Sequence, residues 1–201
     1  MAHTYATDSG ERKIVPFFLA AAAIGGAYLT FHLLKKYHIE MPWWAFLPID
    51  TMGMYGLLYA FFDRVAWKWR FTRWIGVTQI PDLSGTWYGQ VQPAPTPGMS
   101  AGLAAPIDIT LSIKQSWTEI LIGATTNQSR SHSLSGAIVV ADDPSLSYEY
   151  ANEPLPSAAT TMHAHRGIVR LMVNPSRSVL EGEYYSGRDR QNIGTIRVAR
   201  S

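Results

Sequence analysis

Two patterns of hydrophobic and polar positions divide the chain. Residues 14–34 hold no charged side chain, and residues 43–62 form a second apolar stretch that contains Pro48 and Asp50. At 1.5 Å per residue, either stretch is long enough as one helix to span the ~30 Å hydrocarbon layer of a bilayer. Beyond residue 82 the apolar residues recur at every second position, which is typical of strands with one buried face. The pattern therefore predicts two transmembrane helices followed by an all-β domain.

The predicted helical hairpin occupies residues 1–76, and the basic residues beside its two spans set its orientation. Because only residues 35–40 separate the spans, both ends of the hairpin lie on one side of the membrane. The flanking basic residues are Arg12, Lys13, Lys35, Lys36, Arg64, Lys68, Arg70 and Arg73. Most of them lie outside the short loop, and positive residues favour the cytoplasmic side. We therefore expect a multi-pass protein with both termini in the cytoplasm.

Three features of this half have alternative explanations. The first apolar stretch is longer than the ~7–15 residues of a signal peptide and ends without a small-residue cleavage site, which favours a retained anchor. Asp50 either lines a pore in an oligomer or caps a helix that starts after Pro48, and the cap is favoured. Residues 63–75 interleave basic residues with tryptophans. Next to a membrane span, this pattern indicates the lipid headgroup layer rather than nucleic acid.

The predicted β-domain, residues 77–201, contains eight strand candidates. They are Gly85–Gln92, Ile107–Gln115, Trp117–Thr126, Ser129–Ala141, Leu146–Asn152, Thr160–Val173, Val179–Ser186 and Ile193–Arg200. Eight short strands can form a sandwich or a closed antiparallel barrel, and we expect the barrel because closure removes the exposed edges of a sheet. The first strand opens with Gly85-Thr86-Trp87, which resembles the start of lipocalin barrels, where the tryptophan fills the floor. A barrel of this size has room for one small ligand.

Composition excludes several classes of function. The 201 residues include no cysteine, so disulfides, thiolate catalysis and cysteine-ligated metals are absent. The formal net charge of +2 is too small for a protein that coats a nucleic acid polymer. His163 and His165 share a strand face at a spacing that metal sites use, but such pairs are more often structural. No Ser/His/Asp, paired-carboxylate or phosphate-loop motif stands out, so the sequence indicates neither an enzyme nor a cofactor site.

Two strands carry polar residues on faces where a filled core would need apolar ones. Tyr148, Tyr150 and Asn152 alternate on one strand, and residues 129–135 place a serine at every second position on another. If these serines faced solvent, Arg130 would be buried instead, which is the less favourable register. The two faces therefore predict a cavity for a polar ligand.

A series of short segments carries a resemblance to a known family. The segments are YGLLY at residues 55–59, IPDLSGTW at 80–87, QSW at 115–117, YEY at 148–150 with Asn152, His165 with Gly167, and LEGEYY at 180–185 with Arg188 and Arg190. In this order they resemble the two-transmembrane, β-strand-rich effectors of cyclic-oligonucleotide-based antiphage signalling (CBASS). The resemblance runs from the first predicted span to the C-terminus.

The resemblance implies a function for both halves of the chain. A partner nucleotidyltransferase makes a cyclic dinucleotide, which binds the cytoplasmic barrel. The protein then assembles as a homo-oligomer in the lipid of the bacterial inner membrane and disrupts it, which kills the infected cell. The alternative function is a membrane-tethered, lipocalin-like barrel that binds a lipid or another apolar ligand. Such a barrel should show mainly aliphatic inward faces.

A cyclic dinucleotide presents two bases and two phosphates, so its site needs stacking surfaces, hydrogen-bond donors and hydroxyls. The candidate binding residues are Trp117, Ser131, Ser133, Tyr148, Tyr150, Asn152, His165, Arg166, Arg188 and Arg190. The tyrosines are candidates for stacking or hydroxyl contacts, the asparagine for reading a base edge, and the arginines for binding phosphate. The alternative for the tyrosines is packing in the barrel wall with the hydroxyl at the rim.

Overall fold

The structure is a computed structural model that describes residues 1–40, 42–46, 50–94, 105–141, 143–158, 162–187 and 192–201. Contacts between residues group the chain into two compact units. The barrel unit joins Met1–Asp8 to Ile80–Ser201, and the helical unit is Ser9–Gln79. The first eight residues therefore belong with the barrel rather than with the helices that follow them in sequence.

The helical unit contains one long helix and several short ones. Its elements are α1 (Glu11–Lys36), α2 (Trp43–Phe46), α3 (Thr51–Arg64), a 3-10 helix (Ala66–Lys68) and α4 (Arg70–Trp74). α1 has 26 residues and reaches a mean hydropathy of 1.9 over 18 of them. In the described part of the chain, it is the one helix long and apolar enough to cross a membrane. The predicted first span, residues 14–34, lies inside it.

The predicted second span, residues 43–62, is not one helix in the structure. α3 has 14 residues and extends ~21 Å, which is less than the ~30 Å hydrocarbon layer. It begins directly after Asp50, whose Oδ1 accepts a hydrogen bond from the Gly53 N–H at 2.7 Å. The capping interpretation of Asp50 is confirmed, whereas a second spanning helix is not supported. Residues 47–49, which include Pro48, lie outside the described residues.

α1 approaches α3 at a glycine. A Cβ added to Gly26 would lie 3.6 Å from the Cγ of Met54 on α3, which is ordinary van der Waals contact, so the two helices lie side by side at this point. At the start of α1, the buried Glu11 carboxylate accepts the Gln79 N–H at 2.6 Å and the Ser9 hydroxyl at 3.0 Å. These charge-assisted bonds join the first and last segments of the helical unit.

The barrel unit is a closed barrel in which each long strand lies beside its neighbours in sequence. Two short strands, β1 (His3–Thr4) and β2 (Ala6–Thr7), precede the long ones. The long strands are β3 (Gly85–Pro93), β4 (Ile107–Gln115), β5 (Glu119–Thr125), β6 (Ser129–Val139), β7 (Ser145–Pro154), β8 (His165–Val173), β9 (Val179–Ser186) and β10 (Ile193–Arg200). All their pairings are antiparallel, and β10 returns to pair with β3. The predicted eight-stranded antiparallel barrel is confirmed.

The N-terminal strap, residues 1–8, fills the seam where β5 and β6 separate. These two strands pair directly through three residue pairs. Beyond that point β1 pairs antiparallel with β5, and β2 pairs parallel with β6. The side chain of Tyr5, between the two short strands, is 2% exposed. The sequence pattern did not predict either short strand.

A tryptophan closes one end of the barrel. Trp87 is fully buried, and its indole N–H donates to the Leu83 carbonyl at 3.0 Å. The Arg200 guanidinium lies 5.1 Å from the centroid of the Trp87 ring and donates to the Ser84 carbonyl. The buried Gln115 side chain accepts the Leu83 N–H at 2.8 Å. Trp87 thus occupies the floor position that its Gly-x-Trp motif predicts.

Candidate ligand-binding site

A cavity opens at the end of the barrel opposite Trp87. Each long strand contributes to its wall, and the cavity is open to solvent at its mouth. The apolar lining includes Val91, Ile107, Ile109, Val169 and Ile196. The polar lining consists of Thr126, Gln128, Ser129, Ser131, Tyr148, Tyr150, Asn152, His165, Tyr184, Ser186 and Asn192. The described lining contains no Asp, Glu, Lys or Arg, so it offers a ligand hydrogen bonds, aromatic surfaces and apolar contacts.

Strand β7 supplies three polar side chains to this cavity. The alternation of the strand turns Tyr148, Tyr150 and Asn152 inward, and all three are buried. Across the ladder on β6, Ser131 pairs in register with Asn152 and lines the same cavity. With His165 on β8, the structure brings five of the predicted site residues into one space.

Burial further disfavours ionisation of the Tyr148 hydroxyl. Removal from water raises the pKa of Tyr148 well above its ordinary value, and the neighbouring Tyr150 raises that pKa further. Desolvation disfavours the charged tyrosinate, so the hydroxyl stays protonated across the physiological pH range. Tyr148 is therefore a neutral donor and acceptor inside the cavity.

Asn152 and His165 lie near the cavity mouth. The Asn152 Nδ2 is 3.5 Å from the Met162 sulfur, which is a weaker acceptor than a ligand oxygen. The His165 Nδ1 is 3.0 Å from the backbone oxygen of His163, and its ring meets Tyr150 edge-on with centroids 6.2 Å apart. With Nδ1 placed against the backbone, Nε2 is the nitrogen suited to a ligand. Within the described ranges, no three His, Cys, Asp or Glu side chains form a group able to hold a metal.

Three predicted site residues lie elsewhere in the barrel unit. Ser133 is buried beside the strap, where its Oγ accepts the Ile122 N–H at 3.0 Å and lies 2.8 Å from the His3 Nε2. Trp117 is also buried, and its backbone carbonyl accepts a hydrogen bond from the strap. Arg166 lies on the exposed face of β8. These residues do not line the cavity.

The expected face of four serines is wrong at its last position. A β-bulge shifts the register between Ser133 and Ser135, and an extra residue reverses the alternation of side chains. Ser135 is therefore exposed, with its hydroxyl 3.5 Å from the Glu149 carboxylate. The predicted phosphate ligands Arg188 and Arg190 lie outside the residues that the structure describes.

Sequence analysis missed several residues of the cavity. Tyr184 alternates with Leu180 and Gly182 on the inward face of β9, so the period-two pattern could have identified it. Gln128 and Asn192 lie between strands, where no periodicity marks an inward side chain. Residues of this second kind are found only when the turns are seen in three dimensions.

A closed barrel with a filled floor and, at the other end, a cavity lined by both apolar and polar side chains is the architecture of a small-molecule receptor. A family model described as "Cap15, cyclic dinucleotide receptor domain" matches residues 78–200. Because this match covers more than half of the 201 residues, the chain belongs to the Cap15 family. The resemblance to CBASS effectors is thereby confirmed.

A curated relative extends the similarity beyond the barrel. The CD-NTase-associated protein 15 of Yersinia aleksiciae is 28% identical to this chain over 194 residues. The alignment covers 93% of this chain and 88% of the relative. Since the family match begins at residue 78, the relative adds similarity in the helical unit.

Proposed function

We propose that this chain is a CBASS effector whose barrel binds a cyclic dinucleotide in the cavity. The observation that carries the proposal is the chemistry of the described wall, where tyrosine rings, hydroxyls and side-chain amides surround one space. A cyclic dinucleotide has bases that stack on aromatic rings, base edges that pair with amides, and oxygens that bind hydroxyls. The descriptions of the matching family and of the relative support this ligand class.

Each polar group of the cavity has a role in this proposal. Asn152 reads a base edge, and the neutral Tyr148 hydroxyl bonds to a ligand oxygen or nitrogen. Ser131 binds ribose or phosphate oxygens, and His165 presents Nε2 at the mouth. The two arginines that follow β9 are proposed phosphate partners. The barrel acts by binding and release, without chemistry on the ligand and without a cofactor.

The helical unit is proposed to anchor the protein in the bacterial inner membrane. α1 is the segment proposed to enter the membrane. The strap and the long strands form one unit, so both termini are proposed to lie on the cytoplasmic side. Three exposed aromatic residues beside Arg70, namely Trp69, Phe71 and Trp74, suit the lipid headgroup layer. Ligand binding drives homo-oligomerisation, and the assembled helical units disrupt the membrane.

Ligand binding is tested by thermal shift on the full-length protein in detergent. The panel contains cyclic dinucleotides of different bases and the corresponding cyclic mononucleotides. A ligand at 100 times its Kd stabilises the folded state by ~2.7 kcal/mol, so the cognate dinucleotide raises the Tm measurably. An unchanged Tm with every cyclic dinucleotide contradicts the proposal.

A lipid is the second candidate ligand, because aliphatic side chains such as Ile107, Ile109 and Val169 also line the cavity. An apolar ligand could offer no hydrogen-bond donor or acceptor to the tyrosine and serine hydroxyls and the Asn152 amide that line the same cavity. We therefore favour the nucleotide. A fatty acid in the same panel distinguishes the two: stabilisation by the lipid and by no nucleotide favours the alternative.

The membrane step needs a separate test. Full-length protein is placed in liposomes loaded with a self-quenched dye, and the cognate cyclic dinucleotide is added. The proposal predicts dye release with the dinucleotide and none with the cyclic mononucleotide. Ligand binding without dye release would retain the receptor function and reject membrane disruption.

A further inference from the structure

Two cavity tyrosines lie over glycines of the neighbouring strand. Tyr150 on β7 pairs with Gly167 on β8, and Tyr184 on β9 pairs with Gly194 on β10. A Cβ added to Gly167 would lie 2.5 Å from the Tyr150 hydroxyl oxygen and 2.6 Å from its Cζ. A Cβ added to Gly194 would lie 2.5 Å from the Tyr184 Cε1 and 2.9 Å from its Cζ. Any side chain larger than hydrogen at either glycine would overlap the ring.

The glycines decide where the two rings lie. An inward tyrosine on a small barrel usually projects toward the axis and helps to fill the interior. Here each ring instead covers the bare backbone of the next strand. Since Tyr150 and Tyr184 both line the cavity, their rings form part of its wall and leave the centre open. The same arrangement occurs on two strand pairs, β7–β8 and β9–β10.

The spacing of the two rings suits two bases rather than one. β7 and β9 are two strands apart, and strands in a sheet are ~4.8 Å apart, so the backbones that carry the two tyrosines are roughly 10 Å apart across the strands. Gly167 pairs with both Tyr150 and Ser186, so Tyr184 also lies two residues away along the strand direction. A single base held between two rings needs them ~7–8 Å apart, because carbon atoms in contact are ~3.5–4 Å apart. Each ring is therefore placed to contact a different base.

We infer that Tyr150 and Tyr184 are paired platforms, one for each base of a cyclic dinucleotide, and that Gly167 and Gly194 make room for them. This inference rests on the proposed function. A cyclic mononucleotide gains one stacking contact, whereas a cyclic dinucleotide gains both. Each stacked base contributes roughly 5- to 150-fold in affinity, so the pair selects a ligand with two bases.

The test is isothermal titration of the full-length protein in detergent with the cyclic dinucleotides of the panel and with cyclic AMP and cyclic GMP. Tyr150→Leu and Tyr184→Leu should each weaken binding of the dinucleotide by roughly 5- to 150-fold. The ratio of the affinity for the dinucleotide to the affinity for the mononucleotide should fall in both variants. Phe at either position keeps the ring and should retain most of the affinity. Tyr185→Leu, on the outer face of β9, is the matched control and should bind like the wild type.

Melting curves confirm that each variant is folded before its affinity is compared. A folded Tyr184→Leu protein with wild-type affinity rejects the paired platforms while the proposed function stands. A wild-type protein that binds no cyclic dinucleotide rejects the proposed function itself. The tyrosines are changed rather than the glycines because a Cβ at Gly167 or Gly194 would also overlap a backbone oxygen of the adjoining strand. Loss of binding in a glycine variant would therefore be inseparable from misfolding.

Discussion

The Tyr5 hydroxyl donates a hydrogen bond to the backbone carbonyl of Trp117 at 2.7 Å, across 112 positions of sequence. Tyr5 lies between β1 and β2, which pair with β5 and β6 respectively. Its buried ring is part of the barrel wall. The strap is thus a structural element of the receptor unit, although the family match begins at residue 78.

Tyr5→Ala is predicted to destabilise the barrel unit by ~3–5 kcal/mol, the usual effect of truncating a buried aromatic side chain. Tyr5→Phe keeps the ring and loses the hydroxyl bond, so its effect should be ~0.5–1.5 kcal/mol. Denaturant unfolding of the full-length protein, followed by β-sheet circular dichroism, measures both. Tyr88→Ala, exposed on β3, is the control and should unfold like the wild type. Equal stability of Tyr5→Ala and the wild type would show that the strap is detached in solution.

Asp8 holds the other end of the strap. Its carboxylate accepts the N–H groups of Val140 and Ala141 at 2.8 and 3.1 Å. These two bonds lower the pKa of Asp8 below its ordinary value of 3.8. A carboxyl group with a lower pKa in the folded state stabilises that state above its unfolded pKa. The contribution disappears as the pH falls through the folded pKa.

Asp8→Asn should therefore lower the Tm of the barrel unit at pH 7, and the difference from the wild type should shrink as the pH falls below about 4. Hydrogen exchange at Val140 and Ala141 gives a local measurement, with faster exchange expected in the variant at pH 7. Asp108→Asn, on the outer face of β4, controls for the loss of one negative charge. A gap between Asp8→Asn and the wild type that stays constant down to pH 3 contradicts this prediction.

Features that depend on neighbouring residues were predictable from the sequence. The alternation in Ile107–Gln115, Val179–Ser186 and Ile193–Arg200 predicted three strands with the bounds that the structure gives them. The cap formed by Asp50 is likewise local, since its partner is the Gly53 N–H. The strap was not predictable, because its strands have two residues each and pair with strands more than 100 positions away.

The candidate site was predictable on β7 and less so on β6. Alternation runs without interruption through Tyr148, Tyr150 and Asn152, whereas the bulge after Ser133 is invisible in a row of alternating serines. Arg166 follows an inward residue and therefore lies on the opposite face of β8. Hydropathy also predicted one span over residues 43–62. An average over mainly apolar residues does not detect that Asp50 caps a separate helix, α3.

Arg200 is predicted to stabilise the barrel floor. Its guanidinium contacts the Trp87 ring and donates to the Ser84 carbonyl. Arg200→Ala removes both interactions and should lower the free energy of unfolding by about 1–3 kcal/mol in a denaturant titration. Arg197→Ala on the same strand is the control, because its ion pair with Glu181 is exposed and such pairs contribute ~0–1 kcal/mol. A loss no larger than that of the control would exclude a structural role for Arg200.

Asn152→Asp tests the cavity with a change of charge at nearly constant shape. The carboxylate cannot donate to a base edge, and it introduces a negative charge beside anionic phosphates in a wall whose described residues carry none. We expect at least about tenfold weaker binding of the cognate cyclic dinucleotide at pH 7.5, measured by titration of the full-length protein. Because burial raises the pKa of a carboxyl group, affinity should partly recover as the pH is lowered.

Two further variants make this result specific to the cavity. Asn152→Ala removes the amide without adding charge, so its loss of affinity should be similar at both pH values. Asn174→Asp makes the same change in the turn after β8, where the side-chain oxygen accepts the N–H groups of Ser178 and Val179 and a carboxylate can do the same. This variant should bind ligand like the wild type. If folded Asn152→Asp protein also bound like the wild type at every pH, the ligand would lie away from β7, because a buried negative charge in contact with an anionic ligand would change its affinity.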